Sequence, residues 1–227
     1  NKIKLIEDCA HAVGSFEKKK HLGNFGSAGS FSFYPTKQIT TGEGGMVITN
    51  DKKIFKKIKK LKAFGIDKDI KERKKQGDYE VVDLGYNYRM TDFQSALGYQ
   101  QLKIYKKNLK KRHNIAKNYI NFFQNNKNIK FVKYSKNASY FIFQIFCKKE
   151  KRDFILKNLK KNKIGVSVHY AKPVPLMKYY KKKYKFKNKN YTNAINYSKT
   201  NISLPVYPSL KKNQIHLLCK TINNLSK

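Results

Sequence analysis

Cysteine, arginine, acidic residues and long apolar runs are all scarce in this 227-residue chain. Its three cysteines, Cys9, Cys147 and Cys219, are far apart, odd in number and without a CxxC pair. They indicate neither a disulfide framework nor a zinc site. The five histidines (His11, His21, His113, His169, His216) show no HExxH or paired ligand spacing, so no metal centre is expected. No apolar stretch is long enough to cross a bilayer and no signal peptide is visible, so the expected compartment is a reducing cytoplasm. Acids number 14 against 51 lysines and arginines, a formal net charge of +37.

Such a charge first suggests nucleic acid or an anionic surface. Yet only Arg73, Arg89, Arg112 and Arg152 are arginines, and the other 47 of the 51 basic residues are lysines. A surface that reads phosphates or bases recruits the bidentate guanidinium fork. Lysine, asparagine and isoleucine run along the whole chain, as AT-rich codon drift would leave them. A solvated, drifted surface is the preferred reading, and a polyanion-binding module is its rival. No dedicated nucleic-acid or membrane partner is expected.

What is present is pattern. The chain starts at Asn1 rather than Met and opens within the strand-like "IKLIED", so it reads as the C-terminal part of a longer protein. "GSFSFY" and "GGMVITN" are further strands, and residues 51–64 place Ile54, Ile58 and Leu61 at helical spacing. "GIDKDIKERKKQGDYE" reads as an exposed loop. Thr91 followed by Gln94 is a capping box opening a long helix, with an apolar stripe through Phe93, Leu97, Tyr105, Leu109, Ala116, Ile120 and Phe123. That helix should bridge two domains. Beyond it "SYFIFQIF" and "IGVSVHY" read as strands, "RDFILKNLKKN" and "IHLLCKTINNL" as helices, together a small α+β unit. The expected domains are 1–110 and 111–227.

One lysine stands out by placement. Lys37 lies in "FYPTKQITTGEGGMVIT", between a strand-like run and a glycine-rich turn. A primary amine held near a carbonyl can form a Schiff base. Pyridoxal phosphate needs such a lysine, a carboxylate facing its pyridine nitrogen, and donors for its phosphate. Asp8 closes the first strand, where an α/β fold places ligand residues, and Ser32 precedes Lys37 by five residues. Singly, each has a plainer reading: Asp8 as a turn cap, Ser32 as a strand residue, Lys37 as surface. Gly42, Gly44 and Gly45 would fix the loop after Lys37 and carry no chemistry.

Taken together, "IEDCAHAVGS", "FSFYPTKQITTGEGGMVITND" and "LGYNYRMTDFQSALGYQQL" strongly resemble the DegT/StrS-type sugar aminotransferases. The likeness reappears in "VHY" at 168–170 and "SLPVYP" at 203–208. It implies an α/β fold of the aspartate aminotransferase type (PLP-dependent transferase fold type I), here a partial large domain with a mixed sheet plus a small C-terminal domain. It implies Lys37 as the Schiff-base lysine and Asp8 as the partner of the pyridine nitrogen. His11 would lie near the ring and Ser32 would bind phosphate. Asn87 would reach the phosphate of a neighbouring subunit's cofactor, with Arg89 lining the same shared site. His169 and Tyr170 would lie toward the substrate, although a packed strand pair accounts for them equally well.

The implied reaction is transfer of an amino group, from glutamate, to a nucleotide-linked keto-sugar for surface polysaccharide. A homodimer with shared active sites would carry it out. A branch of the family with histidine in place of the lysine performs dehydration, and Lys37 favours amino transfer over that alternative. The part of the family fold that precedes this chain would supply further phosphate donors and a group stacking on the ring, so this segment alone need not hold the cofactor.

Overall fold

A glycine and a short acidic strand set the first sheet. The computed structural model describes residues 3–227, and in it β1 (Ile6–Asp8) pairs in parallel with β4 (Ala28–Ser32). Asp8 stands opposite Ser30 in that register. β4 then pairs antiparallel with β5 (Gly45–Ile48), from Gly29–Ile48 to Ser32–Gly45, giving a mixed sheet of order β1-β4-β5. A side chain on Gly29 would meet the Gly23 backbone at 2.4 Å, so the bare glycine is what lets the two segments touch.

Between β1 and β4 lies a hairpin of β2 (Phe16–Glu17) and β3 (Lys20–His21). Its turn residues Lys18 and Lys19 both take positive φ, 47° and 67°. Turns of that hand normally advertise themselves as Asn-Gly or Asp-Gly. Two lysines hid this one from the sequence.

Helix α1 (Lys52–Leu61) starts at Asp51, whose carboxylate accepts from the amides of Lys53 and Ile54 at 2.7 and 3.3 Å. Its expected stripe, Ile54, Ile58 and Leu61, is the partly buried one. The polar stretch that follows is exposed as expected, yet pinned: Lys59 Nζ lies 2.8 Å from both Asp69 and Glu72. Helix α2 (Asp92–Phe123) opens with the foreseen capping box, the Gln94 amide donating to Thr91 Oγ1 and the Thr91 amide to Gln94 Oε1.

The chain divides into two compact units, and it passes from one to the other inside α2, between Lys106 and Lys107. Asn137–Ser139 return to the first unit. The second unit holds an antiparallel sheet of order β6-β7-β8, from Lys130–Phe131, Phe143–Phe146 and Asn201–Leu204. Helix α3 (Lys149–Lys161) packs on α6 (Lys212–Ser226), and the shorter α4 (Lys178–Tyr184) and α5 (Thr192–Thr200) complete an α+β unit. Its core joins Tyr119 and Phe123 with Ile145, Ile155, Leu159, Ile202 and Ile222. On α6 the buried set Ile215, Leu218, Cys219 and Ile222 follows the helical period.

One expected strand does not form. In "IGVSVHY" only Ser167 makes a bridge, to Ser203, and the chain then turns away. His169 donates its amide to the Asn201 side chain instead of a strand neighbour, which ends the pairing after one residue. The apolar alternation was real, but an asparagine took the next ladder bond. Among the described residues, no helix is long and apolar enough to cross a membrane, and no cluster of His, Cys, Asp and Glu could hold a metal ion.

Candidate active site

Parallel pairing decides where the first-unit residues go. Because β1 and β4 run the same way, Asp8 and Ser32 both lie at carboxyl ends of neighbouring strands, the edge where ligand residues collect in α/β folds. Lys37 follows one turn later, its amide donating to the Tyr34 carbonyl at 2.9 Å. The Tyr34 amide in turn donates to Ser32 Oγ at 3.3 Å. Ser32 and Lys37 are thus tied to one residue.

The loop after Lys37 is held on every side. Gln38, Ile39 and Thr41 are buried. Thr40 donates its hydroxyl to the Phe33 carbonyl and its amide to Gln101 Oε1 on α2, and the Gln101 amide group returns to the Thr40 carbonyl. Thr41 Oγ1 donates to the Glu43 carbonyl, which also receives Gln94 Nε2. Gly42 and Gly44 have φ of +78° and +155°, which only glycine adopts without strain. Lys37 therefore projects from a rigid loop and is itself half-buried.

At β1, the Ala10 amide donates to Asp8 Oδ1 at 3.0 Å. Asp8 and His11 are exposed at this edge. Ser139 joins the two halves: its hydroxyl donates to the His11 carbonyl at 3.1 Å and accepts from Gln38 Nε2 at 2.6 Å. Its amide is anchored on Ser15 Oγ. One buried serine thus couples the Asp8–His11 turn to the residue next to Lys37. Nothing in the sequence marks Ser139, since it lies about a hundred residues from both partners in no motif.

Glu7, beside Asp8, also escaped the sequence reading. In a strand its side chain takes the face opposite Asp8, where it accepts the amides of Gly23, Phe25 and Gly26 at 2.6–2.7 Å. Burial pushes its carboxyl up, but these three donors and the charge of Lys20 outweigh that and hold it below the usual carboxylate range. It fastens the 23–26 loop to β1, and so steadies the strand that presents Asp8.

Asn87 and Arg89 lie on a different segment. Asn87 bridges Ala63, the Tyr88 amide donates to the Lys62 carbonyl, and the Arg89 guanidinium sits 5.1 Å from the Phe64 ring centre. Gly65 and Gly85 make that pairing possible, because a Cβ on Gly85 would fall 1.8 Å from the Gly65 nitrogen. Both Asn87 and Arg89 are exposed.

His169 and Tyr170 belong to the second unit. His169 Nδ1 lies 2.9 Å from Ser203 Oγ, its carbonyl accepts from Gln144, and its amide goes to Asn201. Those bonds tie His169 to β7 and β8, while Tyr170 is exposed.

A family model described as the DegT/DnrJ/EryC1/StrS aminotransferase family matches residues 1–223. The chain is 34% identical to the spore coat polysaccharide biosynthesis protein SpsC of Bacillus subtilis, over 98% of this chain and 60% of that protein. It is 38% identical to a UDP-4-amino-4,6-dideoxy-N-acetyl-beta-L-altrosamine transaminase of Campylobacter jejuni, over 92% of this chain and 54% of that one. It superposes on the sugar aminotransferase Spr1654 from Streptococcus pneumoniae, solved in its PLP form, with a TM-score of 0.88 and 28% identity, covering 99% of this chain and 58% of that chain. The α/β fold expected from the resemblance is therefore the fold of this chain. The chain spans little more than half the length of these relatives.

Proposed function

We propose, because the chain belongs to the DegT/DnrJ/EryC1/StrS aminotransferase family, that the protein containing it transfers an amino group to a nucleotide-linked keto-sugar. An amino acid, glutamate on the family resemblance, is the donor. Pyridoxal phosphate is the cofactor, and the aminated product feeds a surface polysaccharide. The relative from Campylobacter jejuni is by name a transaminase of a UDP-linked amino sugar, which supports the substrate class.

The observation that carries this reading is the shared edge at β1 and β4. There Ser139 couples the Asp8–His11 turn to the loop of Lys37. The donor set suits the cofactor in kind: a carboxylate and a hydroxyl lie at the carboxyl ends of two adjacent parallel strands, and a primary amine follows in the loop that leaves the second. When bound, pyridoxal phosphate supplies an aldehyde and an electron-withdrawing pyridinium ring. Asp8 would keep a proton on the ring nitrogen, as an opposite charge favours the charged form. Ser32 would donate its hydroxyl to the phosphate, and His11 would lie beside the ring. The Lys37 amine would hold the cofactor in the resting protein and afterwards move the proton between carbon atoms.

Borohydride reduction of the full-length protein followed by peptide mapping tests the assignment. The pyridoxyl group should be on Lys37, and a label on another lysine refutes it. Asp8→Asn should cut turnover far more than cofactor content, whereas Ser32→Ala should chiefly weaken retention of the cofactor. Equal loss of both in Asp8→Asn would make Asp8 a folding residue.

Asn87 and Arg89 are read as serving the cofactor site of a second copy, with His169 and Tyr170 toward the sugar. In a two-fold dimer each subunit gives what it receives. Mixing Lys37→Ala with an Asn87→Ala, Arg89→Ala double variant, under subunit exchange, should restore activity to about half per heterodimer by that symmetry. Exchange without recovery would place Asn87 and Arg89 within their own subunit's site.

A further inference from the structure

Charge is far from even between the two units. The second unit (107–136 and 140–227) has 30 lysines and arginines against two acids, Glu150 and Asp153, a net of +28. The first unit keeps the other 21 basic residues and the other 12 acids, a net of +9, although the two are of nearly equal length. A codon bias acting along the whole reading frame would thin the acids of both alike. It does not account for twelve against two. Two carboxylates neutralise only two positive charges, so nearly all the positive charge of the second unit is left uncompensated within it.

Within the second unit, one long acid-free run of this charge lies between Lys178 and Tyr191. This stretch carries seven lysines (178, 181, 182, 183, 185, 187 and 189) and no acid. Residues 177–185, including all of α4, are exposed. Tyrosines stand among the lysines: Tyr179 is 65% exposed, Tyr184 53% and Tyr180 40%. Lys183 Nζ rides 5.5 Å from the ring centre of Tyr179 and 5.4 Å from that of Tyr184. The segment is anchored below by buried Leu176 and by Phe186, which packs between Tyr184 and Tyr191. It is a built face of lysines and phenol rings.

The kind of cation narrows the partner. Both arginines of the second unit are turned inward. Arg112 is buried and donates to the carbonyls of Tyr140 and Val206, and the Arg152 side chain is 12% exposed and bound to Asp153. The outward cations are lysines only, point charges without the fork that grips phosphates and stacks on bases. A nucleic acid would be poorly read by such a face. A layer of anionic headgroups asks for no such fork, and tyrosine is the ring that settles at a membrane–water boundary.

We propose that the second unit docks peripherally on an anionic lipid bilayer through the face of Lys178–Tyr191. The lysines attract the headgroups, and Tyr179 and Tyr184 enter the interfacial layer. This stands apart from the transaminase reading, because it invokes none of that site's residues.

Co-sedimentation of the protein with vesicles tests it. Binding should be strong to phosphatidylcholine containing 30% phosphatidylglycerol, weak to phosphatidylcholine alone, and should fall steeply between 50 and 500 mM NaCl. A lysine at such a surface contributes about fivefold in partitioning, so Lys181→Gln, Lys182→Gln, Lys183→Gln together should cost about 100-fold. The same change at Lys71, Lys74 and Lys75, exposed in the first unit, should cost less than about threefold on the same reasoning. Tyr179→Ala with Tyr184→Ala should weaken binding while leaving the salt dependence unchanged. No binding to the anionic vesicles overturns the proposal. So does an equal loss from the two lysine triplets, which would make net charge the cause. Tighter binding to poly(U) than to vesicles, at equal charge concentration, overturns it in favour of single-stranded RNA.

Discussion

Replacing Glu7 by glutamine should open the loop at Gly23–Gly26 while leaving the second unit intact. Glu7 Oε1 accepts the amides of Phe25 and Gly26, and Oε2 that of Gly23. Glutamine keeps the first oxygen but sets an NH2 group against the Gly23 N–H, so one bond is lost outright. The two remaining bonds lose their charge assistance, which separates bonds of about 1.5–3 kcal/mol from neutral ones near 1 kcal/mol. The carboxylate reaches solvent, which screens part of this, so the net cost is set at about 2 kcal/mol, or roughly 30-fold in the local opening equilibrium. Amide hydrogen exchange by NMR reads it directly. The Gly23, Phe25 and Gly26 amides should exchange about 30-fold faster at pH 7 by that estimate, and those of β7 unchanged.

The wild-type loop has a pH signature of fixed sign. A carboxyl held below its unfolded value stabilises the fold above the unfolded value near 4.3 and stops doing so as pH falls through the folded one. Extra opening of these three amides should thus appear below about pH 4.3, once exchange chemistry is corrected for pH, and the glutamine variant should lack it. Unchanged protection in Glu7→Gln refutes the clasp.

Thr91→Ala removes the hydroxyl that accepts the Gln94 amide and should destabilise the start of α2 by about 1 kcal/mol, measured by urea unfolding followed by circular dichroism. Leu159→Ala, at a fully buried position of the second-unit core, should cost about 2–5 kcal/mol in the same assay through the cavity it leaves. Burial pushes the Cys219 thiol up to about 12 and the Cys147 thiol up to about 11, and it raises Cys9 as well. Ellman's reagent at pH 8 should therefore find less than one reactive thiol per native chain, since the thiolate is the nucleophile. In denaturant it should find all three cysteines. Fast native labelling of Cys219 would contradict its burial.

What was legible in the sequence was local. The capping box at Thr91 and Gln94, the stripe Ile54-Ile58-Leu61 and the period of α6 each depend on residues within a turn or two of one another, and each formed as read. The glycines after Lys37 announced a constrained loop for the same reason. Residues whose partners are remote in sequence were illegible. Glu7 fastens a loop sixteen to nineteen residues away, and Ser139 reaches Gln38 and His11 across 101 and 128 positions. Neither a glutamate in a strand nor a lone serine carries a sign of its partner. The absent strand at 164–170 is the converse case: its alternation was clear, but Asn201 competed for the bond that would have extended it.

The same contrast explains how a lysine can be singled out in a chain that has 47 of them. A lysine side chain is long and loses rotamer freedom when it is ordered, so a catalytic lysine needs a base that does not move. Around Lys37 the rigidity is placed in the neighbours. Tyr34 holds its amide, Ser139 holds Gln38, α2 holds Thr40 through Gln101, and Gly42 and Gly44 close the loop. The lysines of α4 have the opposite surroundings: their helix is exposed, and Lys181 and Lys183 reach only side chains of their own exposed segment. Such side chains suit a diffuse field, where position matters little and charge adds up. On the two proposals Lys37 and Lys182 would be one chemical group put to two uses, and the backbone beneath each would decide which.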